Sequence, residues 1–386
     1  MKPVNCMNAV FRPLTVALAI GACAGAQAAT TLTVASFPSF DESVKVAIPA
    51  YKKLHPEIEI KLTSLAYGDH HTAMTTALAT GSGLPDVMAV EIGFIGKFAE
   101  SGGLEDLAKA PYNGMQYRKQ FLRFTYPQVL TPTGKLAAIP ADVGPGTMFY
   151  RKDIMDKAGV SEKDLTGTWE SFIDAGKKVK AATGAYMLAD ASDISNIYIR
   201  SNLKDGEGIY FDKKGNPVLD TPRFKKAFEL AQAARKAGID GKIGAWSNEW
   251  SEGFKRNQIA TQMMGAWLAA HFEQWLAPAT KGLWRSAQLP NGAFASWGGS
   301  FYTIPSKSEH KQEAWEFIKF MTMNKDQQIA AFRKVAAYPA LVSAQDKDFI
   351  DQPVEFMGGQ QARKVWQLSA EKIPVIWVDK DDSIAT

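Results

Sequence analysis

Cysteine is almost missing from this sequence: the only two, Cys6 and Cys23, fall within the first 28 of 386 residues. Everything after them holds neither a disulfide nor a thiolate metal site, so its stability rests on packing. An excess of charge is also lacking. There are 44 basic and 40 acidic residues, scattered along the chain, which leaves a net +4 and no electrostatic footprint for a nucleic acid. Histidine is scarce, with five residues (His55, His70, His71, His271 and His310), and only His70 and His71 are neighbours. Adjacent helical positions point about 100° apart, so this pair makes a poor metal site and reads as surface or helix-start residues. No phosphate-binding loop, dinucleotide fingerprint, Gly-x-Ser-x-Gly elbow or His-Glu-x-x-His pattern occurs. No cofactor or metal is expected.

The first 28 residues carry no acid, place Lys2 and Arg12 ahead of the apolar run 14–22, and end in Ala26-Gln27-Ala28. This is the layout of a secretory signal peptide (1–28) cleaved after Ala28, with an apolar run too short to span a bilayer. Cys23 has two readings: an ordinary residue of that run, or, within Ile20-Gly21-Ala22-Cys23, a lipid attachment site. Both place the folded part outside the cytoplasm, in the periplasm. Without Lys2 and Arg12 the balance is 42 basic to 40 acidic residues, which names no partner.

With 46% hydrophobic and 22% charged residues, the chain is that of a globular protein long enough for two domains. From Thr30 the apolar period alternates between 2 and 3.6. A strand holds Leu32 and Val34, and a helix follows with Asp41 as cap and Val44, Ile48, Tyr51 and Leu54 on one face. A second strand holds Ile58, Ile60 and Leu62, and a second helix with Met74, Ala77 and Leu78 ends at Gly81 before a third strand over 85–90. Such alternation predicts a parallel sheet with helices on both faces and a ligand crevice beyond the strand ends. A second unit begins near Tyr150, with helices over 151–159 and 168–182, the latter capped by Thr168. The Gly/Pro-punctuated stretch 138–146 between the units suits a hinge better than a tether.

Six of the ten tryptophans lie between 246 and 297: Trp246, Trp250, Trp267, Trp275, Trp284 and Trp297. Core packing accounts for some of them, but a flat apolar ring with one N–H also suits the C–H face of a sugar. Glu91 and Asp142 each follow a predicted strand. Each is either a solvated cap or an ionised acceptor for ligand hydroxyls.

The ordered motifs Gly81-Ser82-Gly83-Leu84-Pro85-Asp86-Val87, Phe149-Tyr150-Arg151-Lys152-Asp153 with Ala158-Gly159, Thr168-Trp169-Glu170-Ser171-Phe172, Gly265-Ala266-Trp267, and Gly298 to Pro305 followed by Ala314-Trp315-Glu316-Phe317-Ile318 resemble the landmarks of a family. That family is the bacterial extracellular solute-binding proteins of family 1, the maltose-binding type of sugar-capturing subunit in ABC importers. The resemblance implies an α/β, two-lobe periplasmic-binding-protein fold (type II-like) with a ligand cleft between lobes joined by three hinge crossings, near 139–147, 297–302 and 338–342. The N-terminal lobe would comprise 29–140 and 301–338, and the C-terminal lobe 141–300 and 339–386. Cleft positions carried over from the family are Phe40 and Asp41 in the loop after the first strand, Glu91, Asp142, Trp267, Trp297 and Gly299. Tyr67, Trp246, Trp250 and Arg363 are further candidates, and the stretch 356–360 resembles one that lines such clefts. The resemblance also implies two helices beyond Trp377, so the chain reads as truncated there.

The expectation is a monomeric, non-enzymatic protein that captures a mono- or oligosaccharide and delivers it to membrane permease subunits. Two alternatives stand beside it: the same fold taking a polyol, glycerol phosphodiester or polyamine, and a secreted carbohydrate-active enzyme. The enzyme requires two carboxyl groups about 5–10 Å apart astride the ligand.

Overall fold

The computed structural model describes Met1 and residues 29–378. The leader with Cys6 and Cys23, the Ala28 cleavage point and the tail from 379 lie outside the described residues.

Strands β1 (Thr30–Ser36), β2 (Ile58–Ser64) and β3 (Val87–Glu91) run parallel in the order β2-β1-β3. Val87, Met88, Ala89 and Val90 are all fully buried, as a strand covered on both faces requires. The crossover helices are Phe40–Leu54 and Tyr67–Thr80. The first buries Val44, Ala47 and Tyr51 but leaves Leu54 exposed at its last residue, and the second stops at Gly81 in the left-handed conformation (φ 69°). Asp86 is structural: its carboxylate accepts from the Thr33 N–H (2.8 Å) and hydroxyl (2.7 Å) and from the Ser308 hydroxyl (2.7 Å).

The sheet continues through β4 (Ile139–Arg151), β5 (Thr261–Gly265), β6 (Trp284–Ala287), β7 (Ser296–Thr303) and β8 (Tyr338–Pro339). Here it departs from the all-parallel expectation. β7 enters between β3 and β4 antiparallel to both, and β5, β6 and β8 pair antiparallel with β4, so the sheet is mixed. β4 is its axis. The first half of β4 pairs with β7 and β8 and the second half with β5 and β6, with two irregularities, between Pro140 and Asp142 and between Val143 and Pro145. The three segments read as crossings therefore lie side by side, hydrogen-bonded around Asp142 and Val143.

At the end of β4, Arg151 is strand rather than helix. It is 2% exposed and forks onto Asp153 with two 2.8 Å bonds, and the helix starts at Lys152. Thr168 caps Trp169–Thr183 through a reciprocal box with Ser171. Trp169, Trp250, Trp284 and Trp366 are core residues. Among the described residues no helix is long and apolar enough to cross a membrane, and no cluster of His, Cys, Asp or Glu could hold a metal ion.

Candidate functional site

The carboxyl ends of β1 and β3, the end of β5 and the middle of β4 and β7 surround a cavity of about 700 Å³. That is within the usual range for an enclosed small-molecule ligand. Eight of the residues singled out in the sequence line it: Phe40, Tyr67, Glu91, Asp142, Trp246, Trp267, Trp297 and Gly299.

One wall is aromatic. Trp246 and Trp267 lie nearly parallel (16°) with centroids 6.0 Å apart, and the Trp267 indole N–H donates to the Trp297 carbonyl at 2.8 Å. That bond needs glycine around it: a Cβ at Gly144 would sit 1.8 Å from the Trp297 oxygen. Gly299, at φ 135°, holds a conformation that favours glycine, and its Cβ would press on the Asp142 carbonyl oxygen at 3.2 Å. Trp246 is half exposed and held at φ 68°, an unfavourable conformation for a bulky residue. Ser39, which lines the same cavity, has φ 72° and ψ −51°, close to a strained γ-turn. Two non-glycine residues in such conformations on one cavity mark it as a functional site.

The polar wall is built on helix starts. Glu91 ends β3 and caps the helix Ile92–Glu100: its Oε2 accepts from the Gly93 N–H (2.7 Å) and from the Tyr67 hydroxyl (3.0 Å). Behind it sit the two adjacent histidines, which are buried rather than on the surface. His70 Nε2 donates to the Ala89 carbonyl (2.7 Å), while His71 accepts the Glu91 N–H at Nε2 (3.1 Å) and donates from Nδ1 to the Tyr67 carbonyl (2.8 Å). Both rings pin the helix Tyr67–Thr80 to β3, and His71, which accepts at one nitrogen, must be neutral to do so. Burial pushes the His71 imidazole down to about 4 and lowers that of His70 as well.

Burial likewise raises the Glu91 carboxyl, against hydrogen bonds from Gly93 and Tyr67 and the attraction of Arg200. It pushes Asp142 up to about 6, eased by hydrogen bonding from Ser300 and reinforced by the nearby Glu91 carboxylate.

Three expected residues do not reach the cavity. Asp41 is buried in the first turn of its helix and pairs with Lys45 at 3.0 Å, with neither a capping nor a cavity role. Trp250 is fully buried, and its indole N–H bonds Gln262 at 3.0 Å. Arg363 lies over the Phe349 ring at 4.2 Å and donates to the Gln352 carbonyl at 3.1 Å, so it joins helices instead of facing a ligand. The stretch 356–360 also turns inward: Phe356 and Met357 are buried, and the Gln360 amide clamps the Ser286 backbone on β6 with two 2.8 Å bonds.

Sequence reading missed Arg200, Asn196, Tyr210 and His271, all of which line the cavity. Arg200 lies 5.0 Å above the Trp297 ring and donates to the Tyr210 hydroxyl (3.2 Å), and its Nε is buried with no protein partner. His271 accepts the Trp275 indole N–H at Nδ1 (2.8 Å), which leaves its proton on Nε2, and burial pushes its imidazole down to about 4. No motif surrounds these residues. Arg200 and Asn196 are i, i+4 neighbours on the helix Ser192–Ser201, a spacing shared by many helical polar pairs.

Strands of mixed direction around a crossing, with a deep cavity over their ends, define a protein that encloses a solute between two α/β lobes. The sequence profile of the bacterial extracellular solute-binding proteins matches residues 35–328, and the chain belongs to that family. It is 28% identical over 349 residues to the lactose-binding protein of Rhizobium radiobacter, covering 86% of this chain and 79% of that one. It is also 28% identical over 309 residues to the arabinooligosaccharide-binding protein of Bacillus subtilis (strain 168), covering 77% and 70%. A crystal structure of an extracellular solute-binding protein of family 1 superposes with a TM-score of 0.80 at 24% identity, over 92% of this chain and 91% of that one. The α/β fold is accordingly the two-lobe one.

Proposed function

We propose that this protein captures a carbohydrate in the cavity between its lobes, in the periplasm, and delivers it unchanged to the permease of an ABC importer. In this reading it acts as a monomer, with 29–140 and 301–338 forming one lobe, 141–300 and 339–386 the other, and β4, β7 and the segment at β8 the hinge. The observation that carries it is the pairing of walls: Trp246, Trp267 and Trp297 supply flat faces for sugar C–H groups, while Glu91, Asp142, Arg200 and His271 supply acceptors and donors for hydroxyls. The carbohydrate ligands of the two curated relatives support the same class. Among the described residues Arg200 is the only Lys or Arg side chain on the cavity wall, set against the two carboxyl groups of Glu91 and Asp142, which disfavours a phosphodiester.

The test is a thermal-shift and tryptophan-fluorescence screen of residues 29–386 against sugars, polyols, glycerol phosphodiesters and polyamines. A saturating sugar at 100 times its Kd stabilises the folded state by about 2.7 kcal/mol, a readily measured rise in melting temperature. The sugar should also be recovered intact. A response to a polyamine or phosphodiester alone, or conversion of the sugar, would overturn the reading.

The aromatic wall leads outward, which favours an oligosaccharide. From Trp267 and Trp246 it passes His271 (centroids 5.5 and 5.8 Å) to Trp275, which is 46% exposed on a π-helical turn, Phe272–Leu276. Units beyond those enclosed would stack on Trp275. Replacing it with alanine is expected to weaken tri- and tetrasaccharides about three- to tenfold while leaving shorter sugars unchanged, and Trp275→Phe should retain most of the difference. Calorimetric titration across a chain-length series checks this; equal losses at every length would count against an outer subsite.

A further inference from the structure

Directly behind the Asp142 carboxyl lies a second, much smaller cavity of about 10 Å³. Asp142, Phe40 and Ala337 line both spaces, so the carboxyl stands in the wall between them. Four of the residues around the small cavity each carry a buried polar atom with no protein partner: Ser43 Oγ, Asp142 Oδ1, Tyr302 Oη and Gln328 Oε1. They come from four elements, respectively the helix Phe40–Leu54, β4, β7 and the helix Lys325–Val335. The Gln328 amide is oriented by its Nε2, which donates to the Met321 carbonyl at 2.7 Å and leaves Oε1 as the unused end. Four orphaned atoms on one small void far exceed what chance burial leaves in a folded protein.

We propose that this cavity is a binding site for a single internal water, which ties Asp142 to Ser43, Tyr302 and Gln328 and holds the carboxyl in position for whatever ligand enters the large cavity. The space is that of about one water, and the donor count matches. A water has two hydrogens and two lone pairs. It donates to Asp142 Oδ1 and Gln328 Oε1 and accepts from the Tyr302 and Ser43 hydroxyls, so each of the four atoms gains one partner and the water is fully used. A sodium ion fits less well, because the two hydroxyl hydrogens would then need acceptors that the cavity does not offer. The bridge ties β4 and β7 to two helices, and it favours the ionised form of Asp142, the form that accepts from ligand hydroxyls. Ser43, Tyr302 and Gln328 are thus positioning residues acting through the water. The ionisable groups that act on Asp142 are Glu91 and Tyr302, while Arg200 acts on Glu91 and Asp41 on Tyr302.

The inference is independent of the ligand's identity and is tested without one. A high-resolution crystal structure of the protein should show one solvent peak within hydrogen-bonding distance of all four atoms. A carbon-13 NMR titration of the Asp142 carboxyl should have its midpoint moved up by about half a pH unit or more in Tyr302→Phe and, from a different element, in Ser43→Ala, with fold retained in the second even if the first is destabilised. A loss of packing alone would admit solvent and move that midpoint down, not up. A cavity without solvent density, a midpoint that differs between sodium and choline buffers, or an unmoved midpoint in Ser43→Ala would each overturn the proposal.

Discussion

Replacing Trp267 with alanine should weaken sugar binding by about 1–3 kcal/mol, roughly a 5- to 150-fold rise in Kd, in a protein that still folds. Trp267 is half-buried and packs against the edge of the hydrophobic core, outside its fully buried interior, so the fold survives its loss. Two effects combine. The flat face that the side chain presents beside Trp246 disappears, and the Trp297 carbonyl, approached closely by Gly144 and Gly265, loses the 2.8 Å bond from the indole. An unpaired buried carbonyl costs about 1–3 kcal/mol of its own, though water entering the vacated space would recover part of that. Trp267→Phe separates the two effects, because it keeps a ring and removes the N–H. If stacking on the sugar dominates, Phe restores most of the affinity; if the pin on Trp297 dominates, Phe is as poor as Ala and both variants show a lower melting temperature without ligand. Calorimetric titration with a parallel melt distinguishes these, and unchanged affinity in both variants would remove Trp267 from the site.

The split among the tryptophans shows how far the sequence could be read. Type and spacing identified a cluster, but not which rings face inward. Trp250 is in the core, because Ser247 caps the short helix Asn248–Lys255 and so fixes the face that Trp250 shares with Phe254. Trp246, four residues earlier, is turned out by a left-handed backbone that no residue type announces. The carboxylates were legible for a better reason: Glu91 is the last residue of a buried strand and has few places to point, and although Asp142, expected just past a strand, lies within β4 at one of its irregularities, both end in the cavity wall. Asp41 follows the same strand-end logic and misses, since one further residue of helix carries it onto the side of Lys45. His271 could not be found, because its bond to Trp275 four residues on does not announce a cavity, and Arg200 could not, because its role depends on Trp297 arriving from distant sequence. The antiparallel entry of β7 was hidden for the same reason: strand direction within a sheet is set by a partner some two hundred residues away.

Asp142→Asn should stabilise the unliganded protein at neutral pH while weakening its ligand. The carboxyl is pushed up to about 6 in the folded state against 3.8 unfolded, mainly by burial. Between those values the folded protein holds the proton more tightly than the unfolded chain, so the group's contribution to stability is full below about 4 and is lost as pH rises through 6. The full shift corresponds to about 3 kcal/mol, an upper bound for a group at the edge of a wet cavity. The histidines run the other way. His71 and His271 are held down at about 4, so their contribution is present above the unfolded value of 6.5 and is lost as pH falls. In the wild-type protein the two trends oppose each other between about 4 and 6.5, so its stability across that window is flatter than either trend alone. In Asp142→Asn the opposing trend is gone: the variant should match wild type near pH 4, exceed it by up to about 3 kcal/mol at pH 7, and show a stability that climbs with pH. Urea unfolding from pH 4 to 7.5, taken as variant minus wild type, isolates the carboxyl from the histidines. The same variant should show a smaller ligand-induced rise in melting temperature, because a neutral amide makes a weaker bond to a sugar hydroxyl than a carboxylate does. A difference that is constant with pH would place the burden elsewhere, whereas a rising difference with impaired binding would mean that the site keeps a carboxylate ionised at the expense of stability because the ligand needs its charge.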